Sequence, residues 1–103
     1  MTELTKATFE AEVEKLGGVA VIDLYADWCG PCKMMAPVME ELDGELSSAR
    51  FYKVNVDNEP ELAVAFKVES IPMIAVVKDG VFVDFSIGFK PKEEIKRFIK
   101  NYL

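Results

Sequence analysis

Val19-Ala20-Val21-Ile22-Asp23-Leu24-Tyr25, followed at once by Ala26-Asp27-Trp28-Cys29-Gly30-Pro31-Cys32-Lys33, is the stretch on which the fold turns. The first seven residues are apolar except for one carboxylate, and β-branched residues are frequent among them. Such a run reads as a strand buried on both faces, the kind found in sheets flanked by helices. Beyond Cys32, the residues Met35, Val38, Met39 and Leu42 recur at helical spacing. Pro37 lies inside that helix and is expected to kink it. Cys29 and Cys32 therefore sit where a buried strand ends and a helix starts. The first turn of a helix offers unpaired N–H groups and a partial positive charge, which stabilise a thiolate, the reactive form of cysteine. Pro31 suits that turn because its missing N–H would be unpaired anyway. Gly30 leaves the approach to the sulfurs free of a side chain.

Working outward, Phe9, Val13 and Leu16 fall at helical spacing, with Thr8 as the expected N-cap and Gly17-Gly18 as the stop. Phe51 to Val56 reads as a second buried strand. Asp57-Asn58 and Pro60 open a short helix through Leu62 and Phe66. Ile74 to Val77 and Val81 to Phe85 read as strands joined at Lys78-Asp79-Gly80, and Asp-Gly is a hairpin signal that makes this pair antiparallel. Pro91 opens a last helix whose apolar stripe is Ile95, Phe98, Ile99 and Tyr102. The order is α-β-α-β-α-β-β-α, which implies an α/β fold with parallel strand pairs and helices on both faces of a central sheet.

The chain has 103 residues, half of them hydrophobic, and a formal net charge of -6 at pH 7. That length suits one domain, taken as residues 1–103, with a core that needs neither disulfide staples nor metal. An acidic balance argues against nucleic acid, whose phosphates need a basic footprint, and against an anionic membrane surface. No apolar run approaches the roughly 18 residues of a spanning helix. Met1-Thr2-Glu3-Leu4-Thr5-Lys6 lacks the basic start and apolar stretch of a secretory signal. The expected location is the cytoplasm.

Three plainer readings compete for the cysteine pair. A structural disulfide closing a four-residue loop constrains the unfolded chain by only about 2 kcal/mol, against about 4.7 for a loop of a hundred residues. A structural zinc site wants four ligands, mostly Cys and His. The chain holds two cysteines and no histidine, so such a site would need two chains. Inert thiols are the third reading, and the helix N-terminus weighs against it.

The run Ala26-Asp27-Trp28-Cys29-Gly30-Pro31-Cys32-Lys33-Met34 resembles the thioredoxin family. Leu4-Thr5 with Thr8-Phe9, Asn55-Val56-Asp57, Ile71-Pro72, Asp79-Gly80 and Ile87-Gly88 fall where that resemblance expects them, so it covers nearly the whole chain. It implies the thioredoxin fold, a central mixed sheet of four to five strands flanked by four helices. So few residues precede Thr8 that the first strand is expected to be a stub. The resemblance also implies a mechanism: Cys29 attacks a protein disulfide, Cys32 resolves the mixed disulfide, and a thioredoxin reductase resets the resulting Cys29–Cys32 bond. The implied partners are that reductase and disulfide-containing client proteins. The protein is expected to be a monomeric electron carrier with no cofactor beyond its redox-active disulfide and no metal.

Four further positions take roles from the resemblance. Asp23 becomes the buried proton donor and acceptor for Cys32; the plain alternative is an edge aspartate facing water. Lys53 becomes the lysine near that carboxylate, against a snorkelling surface lysine. Pro72 becomes a cis proline beside the cysteines, leaving the Ile71 backbone free to pair with an extended client segment. Gly88 lies on the same groove as Trp28, Ile71 and Pro72, against a simple bend after a strand. Three residues depart from the family pattern. Tyr25 stands where many bacterial members carry a second tryptophan, Ser70 where glycine is frequent, and Met73 where threonine is usual. Tyr25 and Met73 favour a rival, a specialised reductase for one client. A second rival is a binding module that uses the groove and not the thiols.

Overall fold

The computed structural model describes all of Met1–Leu103. Its elements run β1 (Thr2–Glu3), α1 (Lys6–Phe9), β2 (Val19–Tyr25), α2 (Gly30–Glu45), β3 (Ala49–Asn55), α3 (Pro60–Ala65), β4 (Met73–Lys78), β5 (Val81–Ile87) and α4 (Lys92–Lys100). The α/β architecture is the expected one: a mixed sheet of five strands, ordered β1-β3-β2-β4-β5, between two helical layers. β2 pairs in parallel with β3 and antiparallel with β4, so the central strand has a neighbour on each edge. β1 is the expected stub, two residues paired in parallel with β3. No helix is long and apolar enough to cross a membrane.

Alternation along β2 sorts the core. Ala20, Ile22 and Leu24 join Tyr52, Val54, Leu62 and Phe66 on the α1 and α3 side. Val19 and Val21 join Met35, Met39, Leu42, Ile95 and Ile99 on the α2 and α4 side. Asp23 has the parity of Val19 and Val21, so it faces the layer that α2 covers. The register places it beside Lys53 of β3 and Ile74 of β4.

The first helix corrects one expectation. Thr5, not Thr8, is its N-cap. Thr8 lies one turn in, where its hydroxyl accepts the Thr5 N–H at 3.0 Å. Both threonines suit a helix start, and the hydrogen bond that decides between them is invisible in the residue types. The helix then continues as a π-helical turn over Glu10–Glu14. β3 begins two residues earlier than expected and stops at Asn55.

At the hairpin, Asp79 and Gly80 both have positive φ, 51° and 80°, as a two-residue turn of mirror-image type requires. Asp79 also docks the turn against Gly18, accepting its N–H at 2.7 Å. A Cβ on Gly80 would lie 2.6 Å from the Glu14 carbonyl oxygen. Gly80→Ala should therefore cost roughly 2–4 kcal/mol from combined strain and overlap. Gly44→Ala, in helix α2 with nothing within 4 Å of the new methyl, should instead stabilise by roughly 0.5–1 kcal/mol. Urea unfolding of the two variants checks the contrast, and a Gly80→Ala protein as stable as the parent would contradict it.

Candidate active site

Cys29 is itself the N-cap of α2: its extended backbone ends the loop after β2, and its sulfur accepts the N–H of Cys32 at 3.2 Å. Pro31 occupies the first turn, and no acidic residue sits there to oppose a negative sulfur. A Cβ at Gly30 would touch nothing within 4 Å, so the approach is open at that position. The cysteines are joined as a disulfide, with Cα atoms 5.2 Å apart. Ala26 packs with them, and Tyr25, Val56 and Ile71 close around the cluster.

An attacking thiol is ordinarily the more accessible of a pair. In the disulfide the difference is slight, 5 % for Cys29 against 3 % for Cys32. What separates the two is their surroundings. The Cys29 sulfur lies 3.9 Å from the carbonyl oxygen of Ile71, at the groove. Cys32 lies within the first helical turn and lines a cavity of about 410 Å³ together with Asp23, Tyr25, Asp27, Lys33 and Lys53.

Asp23 is 4 % exposed, and its Oδ1 has no hydrogen-bond partner. Burial raises its carboxyl pKa to about 7, and the charge of Lys53 opposes that rise only in part. Lys53 is half-buried beside Asp23 in register but forms no ion pair with it. The structure thus brings Asp23, Lys53 and Cys32 to one cavity. The solvated edge position considered for Asp23 is not what the fold provides.

Ile71, Pro72 and Gly88 lie together, with Ile71 beside the Cys29 sulfur. The Ile71–Pro72 bond is cis. Neither the N–H nor the C=O of Ile71 is bound by another backbone group. Gly88 has a φ of 85°, and its N–H donates to the Pro72 carbonyl at 2.8 Å. Trp28 is 72 % exposed, and its indole N–H donates to Asp57 Oδ2 at 2.8 Å. Of the departures, Met73 is buried in the core with Leu62 and Phe66. Tyr25 donates its hydroxyl to Glu3 at 2.9 Å, and burial together with Glu3 raises its pKa to about 12. Ser70 is exposed in the bend before Ile71. Asn55 and Asp57, which the sequence places in the family pattern without a role at the site, also touch it. Asn55 is buried and polar at a strand end, a signal visible only once the strand boundary is known.

A model of the thioredoxin family matches residues 1–101. A thioredoxin of Bacillus subtilis is 43 % identical over 104 residues, covering 100 % of this chain and 98 % of that protein. A thioredoxin of Listeria monocytogenes is 44 % identical over 102 residues, covering 98 % of this chain and 97 % of that protein. One from Staphylococcus aureus is 42 % identical over 104 residues, with 100 % and 98 % covered.

The raised pKa of Asp23 has a definite sign in stability. Below about pH 4 both folded and unfolded chains hold the proton, and there is no penalty. As pH rises toward about 7 the unfolded chain has lost the proton while the folded one retains it, so stability falls. A shift of that size caps the loss at roughly 4 kcal/mol. Asp23→Asn should match the parent near pH 3 and exceed its stability by roughly 2–4 kcal/mol at pH 8, read by urea unfolding. An Asn variant no more stable than the parent at pH 8 would contradict this. Lys53→Met should raise the Asp23 pKa further in an NMR titration, because it removes the only opposing charge.

Proposed function

The chain belongs to the thioredoxin family and is a thiol–disulfide oxidoreductase, and we propose that it works as a general protein-disulfide reductase in which Cys29 attacks and Cys32 resolves. The observation that carries this division of labour is the asymmetry around the disulfide. The Cys29 sulfur accepts the Cys32 N–H at the helix start and faces the Ile71 backbone, whereas Cys32 lines the cavity that holds Asp23.

The steps follow from those positions. The reduced protein presents Cys29 as a thiolate stabilised by the helix N-terminus. It attacks one sulfur of a client disulfide, forming the Cys29–client bond and expelling the other client sulfur, which takes a proton from solvent. The client segment lies along Trp28, Ile71, Pro72 and Gly88, pairing with the free N–H and C=O of Ile71. Asp23, ionised for part of the time near neutral pH, accepts the proton of the Cys32 thiol. Cys32 then attacks the Cys29 sulfur, breaks the Cys29–client bond and leaves the Cys29–Cys32 disulfide, while the second client sulfur departs as a thiolate and takes a proton from Asp23 or solvent. Two electrons have passed to the client. A thioredoxin reductase returns them, so the protein acts as a carrier between that enzyme and its clients. Lys53 tempers the Asp23 carboxyl by its charge.

The protein acts in this reading as a cytoplasmic monomer, with neither nucleic acid nor membrane as a partner. A single-client reductase draws no support from Met73, whose side chain is in the core, or from Tyr25, whose hydroxyl is engaged by Glu3.

Cys29→Ser should abolish reduction of insulin disulfides. Cys32→Ser should attack once and accumulate a mixed disulfide through Cys29, seen by mass spectrometry. Alkylation of the reduced protein at neutral pH should label Cys29 first. Preferential labelling of Cys32, or a mixed disulfide through Cys32, would overturn the assignment. Insulin reduction surviving the loss of both cysteines would favour a binding module.

A further inference from the structure

We propose that Asn55 is a positioning residue that fixes the Trp28 indole at the edge of the client groove, by tying the loop that carries Trp28 to the loop that carries Asp57. The client half of this statement rests on the reading of Trp28 as a groove residue given above. The positioning half stands on contacts alone.

Trp28 is 72 % exposed, so packing on one edge cannot by itself set its orientation. Its polar anchor is the bond from the indole N–H to Asp57 Oδ2, at 2.8 Å. Asp57 is itself an exposed turn residue, and an anchor on a free turn would hold nothing. Asn55 supplies what is missing. It is the last residue of β3, paired in register with Tyr25 at the end of β2, and only 4 % exposed. Its Oδ1 accepts the backbone N–H of Asp57 at 3.0 Å, and its Nδ2 donates to Asp27 Oδ2 at 3.4 Å. Its backbone oxygen accepts the N–H groups of Asn58 and Glu59 at 3.1 and 3.0 Å, which shapes the turn bearing Asp57.

One buried amide therefore reaches both loops, and the chain closes on itself: Asp27 adjoins Trp28, Trp28 binds Asp57, Asp57 binds Asn55, and Asn55 binds Asp27. The orientation of the amide is fixed by its partners, because a backbone N–H requires the oxygen and a carboxylate requires the nitrogen. No other residue type of this size serves both. Leucine would leave the Asp57 N–H without its acceptor, and aspartate would set a second carboxylate against Asp27.

The test uses the fact that Trp28 is the only tryptophan in the chain, so its indole N–H gives a single NMR signal. Asn55→Asp should accelerate solvent exchange of that proton by about threefold or more, and lower the second-order rate of insulin disulfide reduction to a similar degree. Adding Asp27→Asn to Asn55→Asp restores a donor facing an acceptor with the roles reversed, and should return both readouts toward the parent. Asp27→Ala, at an exposed position, gives the same loosening if Asn55→Asp does not fold. An indole signal unchanged in the folded variants, or a double variant no nearer the parent than Asn55→Asp, would overturn the proposal. Loosening and restoration of the indole with no change in the insulin rate would overturn the client half alone, and with it the placement of Trp28 in the groove.

Discussion

β2 is hydrogen-bonded along both edges and covered on both faces, and that confinement governs the reactive end of the molecule. A strand held in this way delivers its last residue to a fixed point, so the loop to Cys29 and the start of α2 inherit a fixed place. The same confinement makes Asp23 costly to ionise. A carboxylate needs water or partners, and this position gives it a lysine alongside in register and an opening onto one cavity. The core that stabilises the sheet and the group proposed to move a proton are therefore set by one strand, through the alternation that turns Val19, Val21 and Asp23 toward α2.

The two sulfurs differ by company and not by exposure. With both nearly buried in the disulfide, accessibility alone does not say which thiol attacks. In the proposed exchange, the helix start stabilises the Cys29 thiolate and the cavity gives the Cys32 proton a route to Asp23. Each neighbourhood suits one step of an exchange reaction. In the proposed reaction, thiolate and disulfide sulfur exchange directly.

Local pattern carries most of the architecture. Apolar runs with alternation on neither face announce β2 and β3, Asp79-Gly80 announces the hairpin, and the spacing of Ile95 and Ile99 announces α4. The cysteine pair and its motif are legible for the same reason: their chemistry depends on adjacent residues. Pairings between distant segments are harder to read. Nothing in the composition of β2 or β4 states that they run antiparallel, and the choice of Thr5 over Thr8 as a cap depends on one hydrogen bond. The place of Asp23 in an apolar run marks it as unusual and the family resemblance suggests its role, but its unsatisfied oxygen and the lack of an ion pair with Lys53 appear only in three dimensions. Asn55 shows the limit most clearly. In sequence it is a polar residue near a turn, and its bonds to Asp27 and to the Asp57 backbone span two loops that the sequence does not bring together.

The central claim is that the buried carboxyl of Asp23 governs the second half of the exchange, the attack by Cys32. The direct measurement is the single-turnover rate at which a preformed mixed disulfide on Cys29 is released, followed across pH for the parent and for Asp23→Asn. The parent rate should rise with pH through an inflection near 7, set by the carboxyl. The Asn variant should lose that inflection and release the client about 100-fold more slowly at neutral pH. Equal release rates, or the same inflection in both proteins, would contradict the account.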